Sequence, residues 1–359
     1  MANRPSTGFV VGKFYPPHRG HKYLIDSATA GVDRLTVMLV WRPGEMPTGE
    51  ERLAWLREIH PNVEFLSVED TVLDNDDSAA WADYVRSMLG YVPDVVFTSE
   101  DYGVPFSRCL GSRHVSVDRA RSAFPCSGTA IRANPLANWD CLEPCVRAYY
   151  VKRVCVVGAE STGTTTMAEA LAAHYKTVWV PEYGRAYCET KFDGLDLATN
   201  STVHEALPHY WGREPERPGA TTEPQPTVEW KSEEFTQIAR MQCAWEDEAA
   251  RKANRVLICD TAAFATSVWH ERYLGTTSTA VDAIAKGRRY DLILLTDVDI
   301  PFVQDGLRDG EHIRHAMHQR FVEVLSTQSV AWHLLSGPHE GRLHLAISLV
   351  DALLGRQSH

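Results

Sequence analysis

Residues 154–166 read V-C-V-V-G-A-E-S-T-G-T-T-T. An apolar run, a glycine, four further residues, a second glycine and three hydroxyl residues give the order in which a buried parallel strand passes through a phosphate-holding turn into a helix. The stretch lies mid-chain, so it opens a second cycle of structure. Downstream, a helix is predicted near 165–174 and strands near 177–181, 255–260, 291–296 and 331–335. Upstream, apolar β-rich runs at 8–12, 34–41, 63–68 and 94–98 alternate with helix-like stretches at 20–30, 49–60 and 79–89. Such alternation predicts parallel sheets with crossover helices, and two α/β units stand in series. The length of 359 residues agrees, because it exceeds what one hydrophobic core usually serves. The second half of 135–152 reads as helix, which predicts a packed junction near residue 150. Residues 193–228, rich in Pro, Gly, Thr and Glu without sustained periodicity, read as an insertion, lid or mobile loop.

Composition narrows the function. Hydrophobic residues make up 44% and charged residues 23%, and no run of about 20 apolar residues could cross a bilayer, so a disordered chain and a membrane span are both excluded. The 36 basic residues against 47 acidic ones give a net charge of −11, which argues against a broad grip on nucleic acid and requires any phosphate ligand to be held locally. Eight scattered cysteines, several inside apolar runs, with no secretory signal before the first strand, predict reduced and mostly buried thiols in a cytoplasmic protein. Cys141 and Cys145 make half a metal site at most; no matching pair follows at useful spacing, so zinc is not expected.

Two further stretches carry chemistry in the first half. At 12–21 the first strand runs into G-K-F-Y-P-P-H-R-G-H, which puts His18 and His21 on one face at the start of a helix. A strand's C-terminal end next to a helix N-terminus suits phosphate, since free N–H groups and the helix dipole favour negative charge there. A lone histidine there would pass as a helix cap; a pair is a stronger signal. At 125–132, P-C-S-G-T-A-I-R opens a helix with small hydroxyl residues, Ser127 and Thr129, and follows one turn later with Arg132. Alone it would read as an N-cap with a surface arginine. Hydroxyls, N–H groups and a guanidinium together suit a triphosphate.

In the second half the loop has the layout G-x-x-x-x-G-K-[ST] with Thr164 where lysine belongs. The backbone cradle, Gly158 through Thr166 including Glu160, Ser161, Thr162 and Gly163, survives that change, while one cation aimed at the β- and γ-phosphates is lost. Thr165 keeps the magnesium-binding hydroxyl position. V-P-E-Y-G-R at 180–185 supplies Glu182 and Arg185, V-L-I-C-D-T at 256–261 ends an apolar strand on Asp260, and D-G-L-R at 305–308 supplies Arg308 ahead of a stretch containing Arg314. Each has a bland alternative, in order a surface ion pair for Arg185, an N-cap for Asp260 and a solvated turn for Arg308. Their order along one α/β unit favours a site.

The two N-terminal stretches resemble the H-x-G-H and S-x-T-x-x-R signatures of the nucleotidyltransferase superfamily, in the form seen in NadR-type nicotinamide mononucleotide (NMN) adenylyltransferases; the later motifs resemble the ribosylnicotinamide kinase domain of NadR proteins. The resemblance runs from residue 8 to about 355, apart from 193–228. It implies a Rossmann-like nucleotidyltransferase domain at 1–150 and a P-loop kinase-like α/β domain at 151–359. It also implies attack of the NMN phosphate on the α-phosphorus of ATP, giving NAD and pyrophosphate. His18, His21 and Lys13 then stand around the reacting phosphates, Gly12, Phe14, Ser127, Thr129 and Arg132 against ATP, with Mg²⁺ as bridging ion. Arg52 and Trp55 in the 46–56 stretch and 98–100 (T-S-E) match family positions near the nucleotide more weakly, and Trp55 reads equally well as an apolar contact of an amphipathic helix. In the kinase half, Glu182 is implied as base or ribose ligand, Thr165 and Asp260 as magnesium ligands, and Arg308, joined by Arg314, as a lid over the phosphates.

Some members carry an N-terminal helix-turn-helix repressor module. Here the first strand starts at residue 8, so no DNA partner is expected. Small nucleotides (ATP, NMN, ribosylnicotinamide) are the expected partners, with homo-oligomer formation left open. Two other functions compete. An adenylyltransferase with a nucleotide-binding regulatory C-terminal half would follow from Thr164, and a transferase for another phosphate substrate would share the histidine pair.

Overall fold

The computed structural model describes residues 4–70, 77–191, 229–305, 308 and 310–356; the stretch at 193–228 lies outside them. The chain divides into two compact units, Met1–Tyr150 and Val151–His359.

The first unit runs β1 (Thr7–Gly12), α1 (Arg19–Gly31), β2 (Arg34–Trp41), α2 (Gly49–Ile59), β3 (Glu64–Glu69), α3 (Ser78–Leu89), β4 (Val95–Thr98), α4 (Gly103–Leu110), β5 (Arg113–Ser116), α5 (Gly128–Ala133) and α6 (Pro144–Tyr150). Its strands pair in parallel in the order β3-β2-β1-β4-β5. Successive residues face opposite sides of a strand, so one core takes Val10, Val37 and Leu39 against Leu24, Ile25 and Leu56, and the other takes Phe9, Met38 and Val40 against Val85 and Phe106. Both faces are therefore apolar, which is why the strands read as unbroken hydrophobic runs. β5 was not anticipated; its R-H-V-S has no buried residue and sits at the sheet edge.

The second unit runs β6 (Lys152–Gly158), α7 (Thr164–Tyr175), β7 (Trp179–Val180), α8 (Tyr183–Lys191), α9 (Ser232–Ala250), β8 (Val256–Asp260), α10 (Ala263–Leu274), α11 (Thr279–Lys286), β9 (Leu292–Thr296), α12 (Arg314–Ser326), β10 (Trp332–Leu335) and α13 (His339–Leu353). This sheet is also parallel, in the order β10-β9-β6-β8-β7. Val154, Val156, Ile258 and Leu294 meet α7 and α13 on one face; Cys155, Val157, Ile293 and Leu295 meet α10 and α12 on the other. In each sheet the strand after which the motif turn comes is central, with neighbours that leave in opposite directions. That is the crevice where open α/β sheets bind ligands.

The expectation of reduced cysteines is corrected at one pair: Cys126 and Cys141 are joined by a disulfide, and the other six form no disulfide among the described residues. The residues between them fold back through a short helix at Trp139–Cys141, which brings two thiols well apart in sequence to one place.

Candidate functional sites in the two units

In the first unit, β1 ends at Gly12 and the chain turns through Phe14, at φ +43°, into α1. His18 is the N-cap, its Nδ1 accepting from the His21 amide at 3.3 Å. The His18 and His21 rings stack with centroids 3.6 Å apart. Burial, with the Arg121 charge second, lowers His18 to about 4, and burial, followed by His18 and then Arg121, holds His21 well below its ordinary range, so both rings are neutral at neutral pH. Because Nδ1 of His18 accepts, its proton sits on Nε2, which is left as a donor. His21 Nδ1 is buried with no hydrogen-bond partner among the described residues.

The second motif is docked on the first. Ser127 caps α5, accepting from Ala130 N at 3.4 Å. A Cβ on Gly128 would lie 2.7 Å from the Tyr15 carbonyl oxygen, so only glycine lets the helix start approach the turn so closely. Arg132 donates to that same carbonyl and to Thr129 Oγ1 at 3.2 Å, and its guanidinium lies over the Tyr15 ring at 4.5 Å. Arg52 covers the ring at 4.6 Å. Thr129, Arg132 and Lys13 are exposed.

Three expected ligand contacts are corrected here. Phe14 is only 2% exposed and its ring packs edge-on to His21 at 5.0 Å, so its side chain belongs to the core. Arg52 is fully buried and spends its donors on Thr48 O (3.1 Å), Lys13 O (2.8 Å) and Glu45 (2.6 Å), fixing the turn and not a nucleotide. Trp55 packs edge-on against Tyr149 at 5.4 Å, the apolar contact of its alternative reading. In 98–100, Thr98 Oγ1 bonds His114 Nε2 at 2.9 Å.

In the second unit the loop after β6 is tight: a Cβ on Gly158 would collide with the hydroxyls of Thr296 and Thr162. Ser161 and Gly163 take left-handed φ of +59° and +83°, the alternation that turns successive N–H groups to one side. The Thr162 hydroxyl is buried behind the loop, donating to Ala159 O at 2.6 Å and bonding Thr296 at 2.7 Å, so only its backbone can meet a phosphate. Thr165 Oγ1 donates to Asp260 Oδ2 at 2.5 Å, and Thr166 is exposed.

One cavity joins this loop, Thr164, Thr165, Glu182, Arg185, Asp260 and Arg308. Burial, reinforced by the Asp260 and Glu160 charges, raises Glu182 to about 8. Burial likewise raises Asp260 to about 6 against the two threonine hydroxyls bonded to it. Perturbed carboxyls side by side in a cleft are what acid–base chemistry near neutral pH needs. Asp305 gathers the two arginines, accepting from Arg185 at 2.7 Å and lying 3.3 Å from Arg308. Arg308 also reaches the Ser161 hydroxyl at 3.4 Å. Glu160, which also lines the cavity, is engaged with Arg272 at 2.6 Å and Gly310 N at 2.8 Å.

Arg314 is not in the lid expected of it: it lies behind the loop, bonded to Glu160 O, Ile300 O and Ser161 O, because it starts α12 directly under that turn.

Sequence reasoning missed the far wall of the cavity: Trp230, Phe235, Gln242, Trp269 and Tyr273. Trp230 and Tyr273 stack at 5.3 Å, giving flat apolar surface beside the carboxyls. Gln242 accepts from Tyr183 N at 2.8 Å, which fixes Oε1 and leaves buried Nε2 without a partner among the described residues. The Trp269–Tyr273 spacing, one helical turn, was the available signal.

A central-strand glycine loop at a helix start, backed by an aspartate ending the neighbouring strand, defines a P-loop nucleotide-binding α/β protein. Residues 153–342, more than half of the chain, match the family described as "AAA domain", and the chain belongs to that family. Two curated relatives align over nearly its whole length. The "Trifunctional NAD biosynthesis/regulator protein NadR" of Salmonella typhimurium is 26% identical over 374 aligned positions, covering 98% of this chain and 84% of the relative. Its namesake of Escherichia coli is 26% identical over 378 positions, covering 99% and 85%. Two solved structures share the fold: "NadR protein in complex with NR" (TM-score 0.72, 20% identity) and "NadR protein in complex with NAD and AMP-PNP" (0.70, 19%), each covering 99% of this chain and 98% of the other.

Proposed function

We propose that the chain is a bifunctional enzyme of NAD biosynthesis, phosphorylating ribosylnicotinamide in residues 151–359 and adenylylating NMN in residues 1–150, the latter as a Rossmann-like nucleotidyltransferase domain. The observation that carries it is the single cavity in which a P-loop, two carboxyls of raised pKa and an aromatic wall meet. The aromatic wall suits a flat pyridinium, and Glu182 and Asp260 face the place where a ribose hydroxyl would lie between wall and loop. Full-length relatives named for NAD biosynthesis, and like folds solved with NR, NAD and AMP-PNP, support the same reading.

In the kinase step the substrate hydroxyl oxygen bonds to the γ-phosphorus of ATP, the bond to the β-phosphate oxygen breaks, and ADP leaves. Glu182, in its ionised form, takes the hydroxyl proton. Arg308 and Arg185 answer charge on the phosphates. Thr165 and Asp260 place two hard oxygen donors side by side, which fits Mg²⁺; they would hold the ion, and it would offset charge on the phosphates.

In the adenylyl step an NMN phosphate oxygen bonds to the α-phosphorus of ATP and pyrophosphate leaves, with no proton to move. Positioning and charge stabilisation suffice. Neutral His18 offers its Nε2 hydrogen, while Arg132 and the Ser127–Thr129 turn face the triphosphate.

Pyrophosphate release assayed with NMN, nicotinate mononucleotide and pantetheine phosphate, together with ADP release on ribosylnicotinamide, tests the reading. Turnover with NMN and ribosylnicotinamide is expected; release only with another phosphate substrate overturns it. Because Thr164 replaces lysine, a regulatory C-terminal half is the second reading, and ATP binding there without turnover would favour it.

A further inference from the structure

The loop lacks the lysine that would meet the terminal phosphates from the front, yet two buried arginines brace it from behind. Arg314, 6% exposed, donates from Nε to Glu160 O (3.1 Å), from Nη2 to Ser161 O (2.8 Å) and from Nη1 to Ile300 O (2.8 Å). Arg342, 3% exposed on α13, donates from Nη1 to Thr162 O at 2.9 Å. Three consecutive carbonyls of the loop therefore end on guanidinium donors.

Two consequences follow. Carbonyls held from behind cannot turn into the mouth of the loop, so the mouth is left to N–H groups. A peptide group whose oxygen accepts from a cation is also polarised, which strengthens its own N–H as a donor. The peptide groups concerned carry the N–H of Ser161, Thr162 and Gly163, the middle of the phosphate cradle. Arg342 is ion-paired with Asp299, whereas Arg314 makes no ion pair among the described residues. Glu311 and Asp299 offset the Arg314 charge only in part, against burial and the neighbouring Arg342, and a buried charge short of compensation is costly. A phosphate chain across a loop one peptide thick would complete the compensation.

We propose that Arg314, with Arg342 beside it, supplies through the backbone of the P-loop the positive charge that Thr164 does not, so that this unit binds a nucleoside triphosphate with threonine at the lysine position. The two are positioning residues, since they touch the loop and not the nucleotide. The inference rests on the loop being a triphosphate site, as proposed above.

Hydrogen–deuterium exchange of the 158–166 peptide in the full chain, titrated with Mg-ATP and separately with adenosine, reads occupancy at this loop alone. Arg314→Met is expected to raise the ATP concentration for half-protection at least about tenfold and to leave that for adenosine within about twofold, since only phosphates sense the charge. Thr164→Lys in the unaltered chain is expected to change ATP affinity less than about threefold, and in the Arg314→Met chain to restore most of the loss, a non-additive cycle. Equal weakening of ATP and adenosine, or no rescue by the new lysine, overturns the inference. Should Arg314→Met not fold, Thr164→Lys alone decides, because a gain of about tenfold or more would mean the charge was missing all along. Absence of protection by ATP in the unaltered chain would overturn the triphosphate site itself and this inference with it; ATP protection with additive substitutions would overturn this inference only.

Discussion

Glu182→Gln is expected to stabilise the second unit while disabling it. Burial and the neighbouring Asp260 and Glu160 raise Glu182 to about 8 from an ordinary 4.5, so folding favours its protonated form. Between those values the unfolded chain has released the proton and the folded one has not, and stability falls as pH rises through that window. By the linkage relation the loss at neutral pH is at most about 3 kcal/mol, and because the residue as a whole is only half-buried it is reduced to about 1–2 kcal/mol. Asp260, raised to about 6 chiefly by burial, adds a loss of the same sign that this substitution leaves in place. Glutamine keeps the shape without the ionisation. Scanning calorimetry of the full chain near pH 8 should therefore show the transition of residues 151–356 raised by roughly 3–6 °C in the variant, with no difference near pH 4. Phosphorylation of ribosylnicotinamide should fall by about 10² or more through loss of the base. A variant less stable than the parent near pH 8, or a gain of equal size at both pH values, would refute the burial argument for Glu182.

The other expectations are narrower. His18→Asn keeps a helix cap and removes the ring, so it should lower pyrophosphate release from ATP and NMN by about 10²–10³ with a near-unchanged melting temperature; His21→Ala should do the same. Gly128→Ala should lower that activity about tenfold or more in a folded protein, because the added Cβ pushes the Ser127 turn off Tyr15 and a small misplacement of phosphate donors is expensive; unchanged kinetics would show that the two motifs do not act as one site. Arg308→Ala should weaken kinase turnover more than Thr164→Ala does, since Arg308 alone of the two carries charge into the cavity; the opposite order in steady-state assays would return the role to position 164.

Strands buried on both faces announce themselves, because β1, β2, β6, β8 and β9 have no polar alternation to hide them, and their glycine turns mark where helices start. β5 and the two-residue β7 escape the pattern or blur it, since an edge strand with half-exposed sides carries little hydrophobic signal. Strand order is absent from local sequence altogether, being set by which crossover each helix can cover. Among site residues, types that suit phosphate were visible, but the direction of each arginine was not. Arg52, Arg314 and Arg308 look alike in sequence; the first two spend their donors on carbonyls and only the third lines the cavity. The aromatic wall was hidden for another reason, since Trp230 lies ahead of α9 and far in sequence from Trp269 and Tyr273 on α10, and it meets them only after folding.

The two units use one location and opposite electrostatics. In the first, burial strips charge from the histidines, so stabilisation of phosphate there must come from neutral donors and from the exposed guanidinium of Arg132. The Arg121 charge helps burial to keep both rings neutral, and the negative charge of an arriving phosphate will raise both histidine pKa values by opposing it. In the second, burial forces the carboxyls in front of the loop toward protonation, and behind the loop lies an arginine whose charge Glu311 and Asp299 offset only in part. A triphosphate between them would complete the compensation of the arginine, and a cation on the carboxylate side would favour the ionised carboxyls, so ligand binding at this loop is coupled to the ionisation of Glu182 and Asp260.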